Sequence, residues 1–116
     1  MREFDCLFCQ IAMGDRQSEI VYQDDQVLVI RDTNPQASTH VLVIPRDHIE
    51  SLNDAAHSDE ALLGKLLRIA AKIANQLNIA EEGYRVVLNT GPHGGQTILH
   101  LHLHLLGGRP MTWPPG

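Results

Sequence analysis

Hydrophobic and polar positions change period several times along this chain, and each change marks an element. Residues 6–13 read as a short helix, with Gly14 a good stop for it. Residues 20–23 and 26–31 are two β-like runs joined by Asp24 and Asp25, which are turn formers, so a hairpin is expected. Asn34 and Pro35 then break the chain, because proline fixes its own φ and restricts the residue before it. Residues 40–44 are apolar enough for a central strand that Pro45 ends. Leu62, Leu66, Ile69, Ile73 and Leu77 recur at helical spacing and predict one long helix ending near Asn78. Ser58 is its expected cap, with Asp59 and Glu60 in the first turn, where carboxylates suit the helix dipole. Residues 84–89 form a fourth strand, 90–96 a glycine-rich turn and 98–106 a fifth strand. The short connections favour antiparallel pairing, and regular crossover helices are absent. The expected fold is α+β: a five-stranded antiparallel sheet with one long and one short helix, in a single domain spanning 1–116.

The fifth strand carries the chemistry. It alternates His100, Leu101, His102, Leu103, His104 and Leu105. Successive side chains of a strand point to opposite faces, so the three imidazoles share one face, roughly 6 to 7 Å apart, and the leucines share the other. Imidazoles in a row serve a core poorly, but they suit a nucleophile, proton donors or a metal ligand near neutral pH. A solvated strand face is the alternative. One metal held by all three is excluded by reach, because ligand bonds are only about 2.0 to 2.1 Å. The preceding glycine-rich segment has no lysine and no Walker ending. Read as a plain connection, it places Gly94 and Gly95 at positive φ. Read functionally, its amides can approach a phosphate, since glycine has no Cβ.

Composition narrows the partners. A chain of 116 residues with a formal charge of −5 lacks the basic face that a nucleic-acid polymer wants, although a single nucleotide is not excluded. No apolar run approaches the roughly 20 residues of a membrane span, and Met1 to Asp5 have no leader pattern, so a cytoplasmic location is expected. Cys6 and Cys9 stand in a C-x-x-C spacing. A redox pair would want a preceding strand, and only five residues precede Cys6, so half of a zinc site is the sharper reading. Two small buried thiols packing beneath the sheet are the alternative.

The segment from Gly94 to Arg109 closely resembles the signature of the histidine triad (HIT) family of nucleotide-binding proteins. The resemblance extends to residues 32–37, 39–46, His48 and Ile49, and 84–89. The ending at 111–116 is similar to the purine nucleoside phosphoramidase branch, not to the dinucleoside polyphosphate hydrolases. It implies a HIT-like fold whose sheet continues across a homodimer, and hydrolysis of the P–N bond of nucleoside 5′-phosphoramidates through a nucleotidyl-histidine. His102 would be the nucleophile, His104 a donor to the phosphate, and His40 a neighbour fixing the cluster. Asp32 and Thr33 would meet the ribose, although Asp32 also fits a plain turn-capping role. Asn89 would bind near ribose and phosphate. Gly95, Gln96 and Thr97 would cradle the α-phosphate, with Thr97 able to deliver a proton to the leaving nitrogen. No cofactor is required for catalysis. Some relatives hold zinc with two cysteines and two histidines; the matching set is Cys6, Cys9, His48 and His100, as a structural site. The tail, 107–116, would reach toward the partner subunit, where Trp113 would influence the leaving amine; the alternative is that Trp113 packs on its own subunit. Two further readings keep the same residues: a dinucleoside polyphosphate hydrolase, and a non-catalytic nucleotide-binding or scaffold protein.

Overall fold

The computed structural model describes residues 5–116, so nearly all of the segment from which a leader is judged absent lies outside it. The elements are α1 (Leu7–Ala12), β1 (Ile20–Gln23), β2 (Val27–Arg31), β3 (Thr39–Pro45), α2 (Glu60–Gln76), β4 (Tyr84–Val87), α3 (Gly91–Gly94) and β5 (Leu103–Gly107). The strands make one antiparallel sheet in the order β1-β2-β3-β5-β4, as the short connections predict. Among the described residues no helix is long and apolar enough to cross a membrane.

Two apolar clusters follow from strand alternation. Val27, Val29, Val41, Val43, Leu101, Leu103 and Leu105 face Leu66, Ile69, Ala70, Ile73 and Ala74 of α2. Alanine at 70 and 74 leaves room for the helix backbone to approach the sheet. On the opposite face, Leu28, Ile30, Leu42 and Ile44 pack on Phe8 and Ile11 of α1. Because α1 is only one and a half turns long, it covers part of that face. The histidines belong to this less covered side.

Several expected boundaries shift. Ser58 does not cap α2: it lies inside a turn of 3₁₀ helix, His57–Asp59, and Asp59 occupies the N-cap position. The Asp59 carboxylate instead accepts from the Ala56 amide at 2.8 Å, which favours the tight turn. The glycine-rich turn folds into α3, with Pro92 preset for the first helical turn. Positive φ falls on Gly91 (73°) and Gly95 (83°), and not on Gly94. β5 begins at Leu103 rather than 98. Upstream of it the backbone leaves the β3 ladder for the segment after β3, where the Leu101 amide donates to the Ile49 carbonyl at 2.7 Å. The alternation of leucine and histidine survives outside the ladder, since Leu101 stays in the α2 core and His100 and His102 stay on the other side.

Candidate functional site

Register explains why His40 and His104 meet. His40 pairs with Leu106 and Leu42 with His104, so the two histidines are diagonal neighbours on one face of β3 and β5, within reach of long side chains. The Asp32 amide donates to the His40 carbonyl at 3.0 Å, which carries the β2–β3 ladder one residue further and sets Asp32 beside His40.

Backbone partners assign the imidazole protons. The His102 Nδ1 lies 2.7 Å from the His100 carbonyl, which can only accept, so the proton is on Nδ1 and the lone pair on Nε2. The Gln36 amide donates to His40 Nδ1 at 3.0 Å, which leaves the His40 proton on Nε2. That N–H donates to His104 Nδ1 at 2.9 Å, with the Asp32 carboxylate 3.3 Å away. His104 then carries its proton on Nε2. The His102 and His104 rings are 5.0 Å apart between centroids. The pair therefore offers one bare nitrogen and one N–H donor on neighbouring rings, a nucleophile and a hydrogen-bond donor.

Burial keeps these rings neutral. It lowers His102 and His40, although the His100 carbonyl and Asp32 pull upward on the first and Asp32 on the second. His104 is held down at about 4 by burial and by its two histidine neighbours. In the unfolded chain His104 returns to about 6.5, so between pH 4 and 6.5 the unfolded state binds more protons there, His40 and His102 act in the same direction, and acid destabilises the fold. The melting temperature is expected to fall by several degrees from pH 7 to pH 5, where most carboxylates are still ionised, and His104→Asn should flatten that slope. A flat profile in the parent chain would show that burial does not hold these imidazoles neutral.

Phe8 was not legible as a site residue. Its ring stands edge-on to both His100 and His102, at 5.8 and 5.0 Å between centroids. It also lines a cavity of about 300 Å³ with Ile11, Ile30, Leu42, Asp32 and Thr33. An aromatic floor with a carboxylate and a hydroxyl at one end has the make-up of a small-molecule site. Asp32 serves a turn as well, accepting from the Asn34 amide at 2.8 Å, and its carboxylate keeps lone pairs for further donors.

The glycine-rich loop is braced from within. The Gln96 carboxamide accepts from the Gly91 amide and donates to the carbonyls of Glu50 and Ile98. The backbone amides of Gly95 and Gln96 donate to Pro92 and Gly91. Among the described residues no hydrogen bond engages Thr97, which borders a second cavity, of about 400 Å³, with Asp5, Cys6, His48 and Glu50. Asn89 is half-buried at the end of the β4 segment, its backbone 3.8 Å from where a Cβ on Gly94 would sit. Trp113 is 82% exposed, so it does not pack on its own subunit.

A second cluster sits behind the first. Cys6 caps α1, its sulfur accepting from the Cys9 amide at 3.3 Å, so the C-x-x-C spacing sets both sulfurs at one helix end. His100 Nδ1 is 3.1 Å from the Cys6 sulfur and 3.5 Å from that of Cys9, and His48 Nδ1 is 3.4 Å from Cys9. His100 Nε2 donates to the Pro45 carbonyl at 2.7 Å, so the bare Nδ1 faces the sulfurs. Ligand atoms of Cys6, Cys9, His48 and His100 all lie within 4.8 Å of one another. A tetrahedral ion with bonds of about 2.3 Å to sulfur and 2.0 to 2.1 Å to nitrogen wants such a set, and the oriented His100 ring fits it. Burial, with the neighbouring Cys9, holds the Cys6 thiol above its usual value; a divalent cation would reverse that.

Residues 14–111 match the model of the HIT domain. This chain belongs to the HIT family. It is 50% identical over 107 residues to the purine nucleoside phosphoramidase of Escherichia coli (strain K12), covering 92% of this chain and 90% of that protein. A HIT family hydrolase from Legionella pneumophila Philadelphia 1 superposes with a TM-score of 0.95 at 49% identity, covering 97% of this chain and all of that one. A zinc-bound histidine triad family protein from Mycobacterium smegmatis superposes with a TM-score of 0.78 at 32% identity, over 90% of this chain and 76% of that one. The five-stranded HIT fold expected from the signature is the one observed.

Proposed function

We propose that this HIT protein is a hydrolase that cleaves the P–N bond of purine nucleoside 5′-phosphoramidates. The observation that carries the reading is the His102 tautomer: Nδ1–H is held on the His100 carbonyl, and Nε2 is bare beside the His104 donor. Half identity to a purine nucleoside phosphoramidase supports the branch.

The His102 Nε2 lone pair attacks the α-phosphorus as the P–N bond breaks, and the departing amine takes a proton from the Thr97 hydroxyl or from water. The imidazole becomes cationic, and the His100 carbonyl stabilises the Nδ1–H as charge develops. Water then attacks phosphorus, the P–Nε2 bond breaks, and a proton is released. The net result is water added across P–N, giving a nucleoside monophosphate and an amine. His104 Nε2–H donates to a phosphate oxygen, and His40 and Asp32 hold that tautomer. Asp32 and Thr33 take the ribose, Asn89 lies near the sugar and phosphate, and the Gly95, Gln96 and Thr97 loop borders the phosphate. Cys6, Cys9, His48 and His100 would hold a structural zinc that ties α1 to the sheet. The reading includes a cytoplasmic homodimer: β4 is an open sheet edge, Tyr84 on it and Leu67 on α2 are exposed, and Trp113 in the tail is free to reach a partner's site.

A leaving-group series tests this. Amine-leaving substrates should turn over well above dinucleoside polyphosphates, and mass spectrometry of enzyme quenched with a slow phosphoramidate should find the nucleotide on the peptide containing His102. Faster turnover of the polyphosphates would move the assignment to the other hydrolase class. Nucleotide binding without turnover of either would leave a nucleotide-binding protein.

A further inference from the structure

The floor of the 300 Å³ cavity is apolar, but one wall is not. After α1 the chain turns at Gly14 and brings Arg16, Gln17 and Ser18 to the rim, next to Phe8 and Ile11. With phosphate at His102 and ribose at Asp32, a base in this slot lies against Phe8 and Ile11 with an edge toward that rim.

The other charged side chains at the cavity are already engaged. The charge of Arg31 is paired with Glu19, its Nε donating to that carboxylate at 2.7 Å. Asp32 accepts from Asn34 and sits beside His40. Arg16 makes one long hydrogen bond, from Nη1 to the Gln10 side chain at 3.4 Å, which leaves most of its five donors available.

We infer that Arg16 is a specificity-determining residue that makes the base slot prefer 6-oxopurines, guanine and hypoxanthine, over adenine. This deepens the nucleotide reading of the same site and rests on it. A guanidinium offers donors only. The N7 and O6 of a 6-oxopurine are two adjacent acceptors, which it matches; adenine presents N7 beside an amino group, a donor that meets another donor. Gln17, on the same rim, matches the N7 and amino group of adenine by the same code, so the preference rests on the charge-assisted bonds of the guanidinium, which are roughly twice as strong as those of a neutral carboxamide. Apolar contact with Phe8 and Ile11 is equally indifferent to the exocyclic group.

The test is calorimetric binding of GMP, IMP and AMP to the full chain, alongside kcat/KM for the three corresponding phosphoramidates. Well-formed bidentate pairs discriminate by about 5- to 150-fold, and an exposed arginine belongs at the low end, so GMP and IMP should bind roughly 5- to 10-fold more tightly than AMP. Arg16→Ala and Arg16→Met should bring the three within about twofold of one another, mainly by weakening GMP and IMP. Arg16 is exposed, so the variants should keep the parent melting temperature. Equal affinities in the parent chain, or a preference for AMP, would overturn the inference. So would an equal loss across the three bases in the variants, which would make Arg16 a phosphate contact. Binding reports on base choice even if no phosphoramidate turns over, so failure of the hydrolase reading and failure of this inference are distinguishable.

Discussion

His102→Ala is expected to lower phosphoramidate turnover by on the order of 10⁵-fold, to the level left by binding and hydrogen-bond donors alone. The alanine chain has no nitrogen to aim at phosphorus. His104 cannot substitute, because its Nδ1 accepts from His40 and its remaining nitrogen carries the proton. Mononucleotide affinity should change by less than about tenfold, since the apolar floor and the ribose carboxylate are untouched. His102 is buried against Phe8, so the alanine chain also loses packing and should melt lower by a few degrees. His102→Asn is the matched control: it can still donate to the His100 carbonyl, so it should be as inactive and more stable. His104→Ala and His40→Ala should cost less, roughly 10²- to 10⁴-fold, as losses of a donor and of the group that holds it. Steady-state rates, calorimetry with nucleoside monophosphate and thermal melts separate these effects. Turnover in His102→Ala within about a hundredfold of the parent would remove the covalent route.

The face each histidine occupies was legible because period-2 alternation belongs to any extended backbone, whether or not it is paired in a ladder. For the same reason the start of β5 was not. Residues 98–102 alternate like a strand, yet Leu101 donates to Ile49 rather than to β3, and residue type carries no sign of that choice. The long helix was readable from Leu66, Ile69 and Ile73, but its start was not, because Ser58 and Asp59 are both good caps and the competition was decided by the Ala56 amide. The C-x-x-C spacing pointed to half of a zinc site, but His100 lies 94 residues from Cys6, so the two histidines of the cluster were reachable only through the family likeness. The proton positions depend on the Gln36 amide and the His100 and Pro45 carbonyls, backbone groups present at every residue and therefore silent in a sequence. Phe8 reads as ordinary core; the one hint was its place between two cysteines on the same short helix.

Protein purified without chelator is expected to contain about one zinc per chain, and its removal should lower stability by at least about 3 kcal/mol, or a melting temperature drop of about 10 °C for a chain of this size. The reason is how little else holds α1 in place. It has six residues, far below the length at which a helix persists alone, and its buried side chains are Phe8, Cys9 and Ile11. An ion bound by Cys6 and Cys9 at the start of α1, by His48 just after β3 and by His100 just before β5 would cross-link the N-terminal helix to the segments behind the nucleophile. Loss of that link loosens Phe8, and with it both the His102 ring contact and the wall of the base cavity. Nucleotide affinity should therefore fall along with the melting temperature. Cys6→Ser with Cys9→Ser should reproduce both effects and abolish the response to added zinc, while in metal-free protein the same substitutions should change the melt by little more than about 1 kcal/mol, the scale of a modest packing change. Elemental analysis and calorimetry with and without chelator read this directly. Metal content near zero, together with a melt indifferent to zinc, would assign the two thiols to packing alone.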